Sequence, residues 1–283
     1  MNIGIIGLGL IGGSMAKAIK QHTDHMVLGY DCKETVLRKA MMMDVIDDSL
    51  TDDTLSVCDI LILALYPHTT IEVLKEKAPM LSKHTIVVDC AGVKEIVCNA
   101  LESVAEKYGF QFVGGHPMAG VEYSGFEHSQ KTLFKNASMI LTPFSGTEIQ
   151  TIERLKRFFL EIGFGHVELT TAKTHDRMIA FTSQLAHVVS SAYVKSSVAS
   201  SHKGFSAGSY RDMTRVAKLD PDMWTELFLA NKTNLAEEIK GLIRRLEEYQ
   251  VAIESGDEEE IRKQLVDGNR QKIQLDGKTS SKG

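Results

Sequence analysis

The sequence predicts an α/β protein, a doubly wound, mostly parallel sheet of Rossmann type followed by an all-helical domain. Three observations carry this. Short, wholly apolar runs alternate with helical stretches as far as Leu169, and a glycine-rich turn directly follows the first of them. From Ala172 onward strand-like runs almost vanish and three- and four-residue periodicity takes over. Wholly apolar strands belong to a sheet covered on both faces, because a sheet with one wet face alternates apolar and polar residues.

Asn2–Ile6 is the first strand, and Gly7-Leu8-Gly9-Leu10-Ile11-Gly12 opens a helical pattern that runs to Lys20. Residues 27–30 form a second strand ending at Asp31, followed by a helix over 35–42 and a short strand-like segment at 45–46. A strand over 60–64, a helix over 71–80, a strand over 85–88 and a helix over 93–108 continue the alternation. Strands over 110–114 and 138–142, a helix over 149–162 and a strand over 166–169 complete it. Residues 172–200 read as one long helix, with Met178, Ile179, Leu185, Val188, Val189, Ala192 and Tyr193 on its apolar side. That length implies cover from another domain or another subunit. Helices over 222–254 and 257–272 follow, separated by Ser255-Gly256 with Asp257 as the cap. The expected organisation is a dinucleotide-type domain over 1–170, a helical domain over 171–273 and a flexible tail over 274–283.

Bulk composition narrows the classes of function. The chain has 283 residues, room for one large domain or two ordinary ones. With 43% hydrophobic and 24% charged residues it is globular, not disordered. A net charge of −5 without a basic cluster argues against nucleic acid as a partner. Cys32, Cys58, Cys90 and Cys98 show no CxxC spacing, which fits free thiols in the cytoplasm. The apolar N-terminus contains five glycines and no basic stretch, so it reads as a strand and turn, not a signal peptide. No run of about 18 apolar residues is present, so no membrane span is expected.

The pattern Gly7-x-Gly9-x-x-Gly12 carries the first chemistry. The first glycine makes the tight turn, the second lets backbone approach a pyrophosphate, and the third packs helix against strand. The backbone from Leu8 through Leu10 and Ile11 then offers the helix N-terminus to phosphate. Asp31, 19 residues after Gly12, can accept from both ribose hydroxyls and would repel a 2′-phosphate, which selects NAD over NADP. Pro67 and Gly92 follow strand ends and are expected to line the nicotinamide end. Lys94 reads either as a site residue or as a solvated lysine at a helix start.

His116, held between Gly114-Gly115 and Pro117, suits removal of a hydroxyl proton, with a core or capping role as the alternative. His175 and Asp176 begin the long helix, and His187 follows His175 by twelve residues. At about 100° per residue the two histidines fall about 120° apart, so they need not share a face. Asp212 and Arg215 are spaced to meet on a helical turn. The arginine fork fits a substrate carboxylate, and an internal Asp–Arg pair that supports packing is the alternative. No metal-ligand spacing and no Gly-x-Ser-x-Gly turn occur.

Taken in order, several segments resemble the prephenate and arogenate dehydrogenases of tyrosine biosynthesis. They are the glycine motif, Asp31, His116-Pro117-Met118-Ala119-Gly120, His175-Asp176, Asp212-Met213-Thr214-Arg215 and Asp220-Pro221-x-Met223-Trp224. The resemblance spans residues 1–272. It implies NAD-dependent oxidative decarboxylation of prephenate to 4-hydroxyphenylpyruvate, with arogenate oxidation to tyrosine as the alternative. It also implies a catalytic His116, a carboxylate-binding Arg215, a pocket shaped by His187 and His175, local structural support from Asp212, and a homodimer through the helical domain. Where the family often has Gly-Ser-Val/Thr-Lys and Ser-His-Leu-Pro-His, this chain has Ala91-Gly92-Val93-Lys94 and Ser183-Gln184-Leu185-Ala186-His187. Two rival classes differ in checkable ways. A β-hydroxyacid-type dehydrogenase would carry asparagine four residues after its helix lysine, and Lys195 is followed by Ala199. A non-catalytic NAD sensor would not need His116 and Arg215 together.

Overall fold

The computed structural model describes residues 1–121 and 123–279. Among them, eight strands form one sheet: β1 (Asn2–Ile6), β2 (Met26–Tyr30), β3 (Asp48–Ser49), β4 (Ile60–Leu63), β5 (Ile86–Asp89), β6 (Gln111–Pro117), β7 (Ser138–Pro143) and β8 (His166–Leu169). Their order is β3-β2-β1-β4-β5-β6-β7-β8. All neighbours are parallel except β6 and β7. The apolar strands feed two cores because successive side chains point to opposite faces. In β4, Ile60 and Ile62 join one core while Leu61 and Leu63 join the other. The first core also holds Met15 and Ile19 of α1 (Leu10–His22) and Leu155 and Phe158 of α5 (Ile149–Glu161). The second holds Leu74 of α3 (Pro67–Lys77) and Leu101 of α4 (Glu95–Tyr108). Between them in the chain, α2 (Glu34–Met42) buries Ala40.

The strand order reverses between β1 and β4. Ligands of such sheets collect at this switch point, outside the carboxyl ends of the strands. The segments after β1, β2, β4 and β5, together with the end of β6, meet there.

The helical part differs in detail from the periodicity. The expected helix over 172–200 comprises α6 (Ala172–Ile179), a π-helical turn over Ala180–Leu185 and α7 (Ala186–Tyr193), where it ends. Next come α8 (Gly208–Thr214), α9 (Pro221–Ala230), α10 (Lys232–Ser255) and α11 (Glu258–Thr279). The single helix expected over 222–254 is broken at Asn231, whose side-chain amide donates to the Asp176 carbonyl and to Gln184 Oε1 instead. Asp257 does cap α11, accepting from the Glu260 N–H at 2.9 Å. That helix runs to Thr279, so residues 274–279 of the expected tail are helical, and 280–283 lie outside the described residues.

The chain divides into two compact units, Met1–Lys232 and Thr233–Gly283. This division falls later than the change of texture near residue 170, because α6 and α9 are bonded to the sheet layer. The backbone N–H groups of Lys94 and Glu95 donate to Asp176, and the His68 N–H at the start of α3 donates to Glu226 of α9. No helix among the described residues is long and apolar enough to cross a membrane.

Candidate active site

The glycine turn is built as its spacing requires. Gly7 has φ +91°, and a Cβ there would lie 2.5 Å from the Ala64 carbonyl oxygen. A Cβ on Gly12 would lie 1.8 Å from the Gly7 oxygen, so the start of α1 touches the turn through that missing side chain. Gly9, the residue before α1, faces open space with no atom within 4 Å of a built Cβ. Bare backbone beside an open volume at a helix N-terminus fits a pyrophosphate. Asp31 sits just past β2, where Oδ2 accepts from the Leu8 N–H and Oδ1 from the Lys33 N–H, both at 2.9 Å. It therefore ties the glycine turn to the segment before α2 while each oxygen keeps a lone pair for a ribose hydroxyl.

The contrast between two glycines gives a prediction. Gly9→Ala should keep the wild-type melting temperature and weaken dinucleotide binding by about tenfold or more. Gly12→Ala should lose both, because its methyl group collides with backbone. Thermal melts and dinucleotide titrations of the two variants check this.

His116 lies within β6, which extends three residues beyond a strand ending at Gly114 to include Pro117. It is half-buried, and its Nδ1 is 2.8 Å from His175 Nε2. His175 is only 1% exposed, and its Nδ1 lies 2.7 Å from Asp176 Oδ1. The Asp176 carboxylate also accepts from Lys94 N at 2.7 Å and Glu95 N at 2.9 Å, at the N-terminus of α4. Helix N–H groups and dipole favour negative charge at that point. Burial, His175 and Lys94 hold the His116 imidazole well below the ordinary histidine range. Burial also lowers His175, against the opposing pull of Asp176.

Lys94 is neither solvated nor open to a ligand. It is fully buried, and its Nζ donates to Asp89 Oδ2 and to the Gly115 carbonyl, the latter at 2.6 Å. Asp89 Oδ1 accepts the Gly115 N–H at 3.1 Å, so the residue before His116 is held through both its N–H and its C=O. A Cβ on Gly115 would lie 2.4 Å from the Asp89 carbonyl oxygen, which leaves no room for a side chain in this clamp.

The other sequence candidates are placed as follows. Pro67 is buried as the first residue of α3, where its missing N–H costs nothing. Gly92 borders the histidine, since a Cβ there would sit 3.9 Å from His116 Nε2 and 3.3 Å from Leu227 Cδ2 of α9. His187 Nδ1 is 3.0 Å from the Val216 carbonyl oxygen, and its ring centroid lies 4.0 Å from that of Trp224. It thereby holds the backbone next to Arg215. His175 is buried and turned to His116. Asp212 and Arg215 are both exposed and form no ion pair with each other, although Arg215 is the C-cap of α8 and keeps helical backbone angles. Gln184 is buried and donates to the Leu227 carbonyl at 3.1 Å, so this departure serves to join α9 to the long helix.

The π turn changes the relation of the two helix histidines. It takes up one extra residue, so the twelve steps count as eleven α-helical ones, about 1100° and within about 20° of three full turns. His175 and His187 thus come to nearly one side. The described residues contain no group of three or more His, Cys, Asp or Glu side chains able to hold a metal ion.

Comparison with known proteins agrees with this architecture. The family model for the prephenate dehydrogenase nucleotide-binding domain matches residues 15–168, and that for the prephenate dehydrogenase dimerization domain matches residues 171–267. The chain is 32% identical over 266 residues to the prephenate dehydrogenase of Bacillus subtilis, covering 91% of this chain and 71% of that one. The crystal structure of Aquifex aeolicus prephenate dehydrogenase with hydroxyphenyl propionate and NAD+ superposes with a TM-score of 0.84 at 30% identity, covering 97% of this chain and 98% of that one. The arogenate dehydrogenase of Synechocystis gives a TM-score of 0.82 at 25% identity, covering 96% and 100%. A sheet of this order with a dinucleotide turn and a histidine at a strand end defines a nucleotide-dependent dehydrogenase. The chain belongs to the prephenate dehydrogenase family.

Proposed function

We propose that this enzyme converts prephenate to 4-hydroxyphenylpyruvate and CO2 with NAD as oxidant, His116 acting as the base. The observation that carries the reading is the neutral, half-buried His116 at the carboxyl end of β6, its Nε2 beside Gly92. The Aquifex relative crystallised with NAD+ and a hydroxyphenyl acid supports it. NAD, when bound, supplies the acceptor for the hydride that leaves ring C4. Gly7, Gly9 and Gly12 with the backbone of Leu8, Leu10 and Ile11 would hold its pyrophosphate, and Asp31 its ribose. Pro67 and Gly92 would border the nicotinamide end.

His116 Nε2 accepts the proton of the C4 hydroxyl as that carbon is oxidised. The C4–O bond then gains carbonyl character, and the electrons of the bond to the ring carboxylate flow into the ring as CO2 departs. Aromaticity is restored, the resulting phenolate oxygen takes the proton back from His116, and no net proton is consumed. The driving force for decarboxylation resides in the substrate, so the protein needs only orientation and one base.

Arg215 would bind a substrate carboxylate, since its guanidinium is exposed and pairs with no carboxylate among the described residues. His187 and Trp224 would keep the Arg215 segment in place. Arg215→Ala is expected to raise KM for the substrate by about 10- to 100-fold, with a smaller change in kcat. Initial-rate kinetics check this.

The active species would be a cytoplasmic homodimer. Ile243, Leu246, Val251 and Ile253 of α10 and Leu265, Val266 and Ile273 of α11 are exposed, and a second copy would cover them. Arogenate is the alternative substrate, favoured by the likeness to the Synechocystis enzyme. Separate assays with prephenate and arogenate decide between them. Faster turnover of prephenate supports the proposal, and turnover of arogenate alone overturns it.

A further inference from the structure

The three side chains Asp176, His175 and His116 form a line of hydrogen bonds whose direction can be assigned from its buried end. Asp176 Oδ1 and Oδ2 face the N–H groups of Lys94 and Glu95, so this carboxylate acts as an acceptor. The His175 nitrogen that meets it, Nδ1, must then carry a hydrogen. A neutral imidazole carries one hydrogen, so His175 Nε2 is an acceptor. Among the described residues the group bonded to that acceptor, at 2.8 Å, is His116 Nδ1, which must therefore donate. By the same count, His116 Nε2 is left with a lone pair, and it is the nitrogen beside Gly92.

We propose that Asp176 is a positioning residue which, through His175, fixes His116 as the Nδ1–H tautomer and so keeps Nε2 ready to accept the substrate proton. The proposal rests on the reading of His116 as the base. A reversed line would put N–H at Nε2, facing the substrate hydroxyl with a donor where an acceptor is required. The helix N-terminus of α4 pins the carboxylate, and the clamp on Gly115 pins the strand that carries His116, so both ends of the line are rigid.

The charged groups around the line set how it responds to pH. From β5 comes Asp89, from the start of α4 Lys94, and from α6 His175 and Asp176. The nearest residue of α9 to Gly92 is Leu227, which is apolar. Asp89 and Lys94 are paired, which leaves Asp176 as the anion that favours a positive charge on His175, the direct partner of His116. Burial opposes that charge. Loss of the Asp176 charge should therefore move protonation of the pair to still lower pH.

Two measurements test this. Nitrogen-15 NMR of histidine-labelled wild-type protein, at a pH where the enzyme is active, should show His116 protonated at Nδ1 and bare at Nε2. Assignment comes from the signals lost in His116→Asn. A His116 that carries its hydrogen on Nε2 overturns the proposal, whatever the activity. In the second measurement, Asp176→Asn keeps an oxygen able to cap α4 but loses the charge. Its kcat should fall by about 10²-fold or more with little change in KM, and the acidic limb of kcat/KM should shift to lower pH. A fall in kcat with that limb unmoved would reduce Asp176 to a structural part and sink the proposal. If this variant does not fold, the wild-type spectrum still decides. The spectrum is independent of which substrate is turned over, so failure of the relay and failure of the prephenate assignment are separately visible.

Discussion

Replacing His116 by Asn is expected to lower kcat by about 10³-fold while leaving the affinity for NAD unchanged. The amide is close to the imidazole in size, and its N–H can still reach His175 Nε2, so the contact that fills the space behind β6 survives. Only the basic nitrogen is lost. The glycine turn, Asp31 and the start of α1 are on other strands and do not depend on the ring. Steady-state rates of NADH formation and a calorimetric titration with NAD measure the two quantities separately. Equal losses in both would mean that His116 supports the fold of the crevice and not the chemistry.

Replacing Lys94 by Met is expected to give the largest loss of stability among single changes near the site. Lys94 and Asp89 are both fully buried, so the substitution leaves a carboxylate in the interior with no cation beside it. Breaking a buried pair in this way costs about 3–5 kcal/mol. For a chain of this size that corresponds to a fall in Tm of roughly 6–20 °C. Activity should also fall in protein that remains folded, because the Gly115 carbonyl loses its donor and His116 is the next residue. Thermal unfolding of the variant measures the effect. As a comparison, Lys263→Met removes an exposed partner of Glu260 on α11 and should leave Tm within measurement error.

The parts of the site legible in the sequence are those set by local geometry. Each glycine of the turn answers a need within a few residues of itself, and Asp31 is placed by the end of one strand. The prominence of His116 came from its Gly-Gly and Pro neighbours. Its partner, 59 residues away, could not be read, because only the packing of α6 against the start of α4 brings them together. Lys94 misled for the same reason. Its surroundings are Asp89, five residues before it, and Gly115, 21 residues after, and the sequence gives no sign that both point at its amine. Counting at 3.6 residues per turn separated His175 from His187, whereas the π turn between them removes most of that angle. The Asp212–Arg215 pair allowed by spacing is not made even though Arg215, the C-cap of α8, keeps helical backbone angles, so helical spacing permits a pair without requiring it. Asn231 showed the limit of periodicity in another way. A break between two helices was masked by apolar residues on both sides of it, and the signal lies in long-range bonds to Asp176 and Gln184.

The most direct test of the central claim is product analysis of purified protein incubated with NAD and prephenate. The account requires 4-hydroxyphenylpyruvate, CO2 and NADH in equal amounts, with formation of all three suppressed together in His116→Asn. NADH without CO2, or no product from prephenate under conditions where NAD is bound, would contradict it.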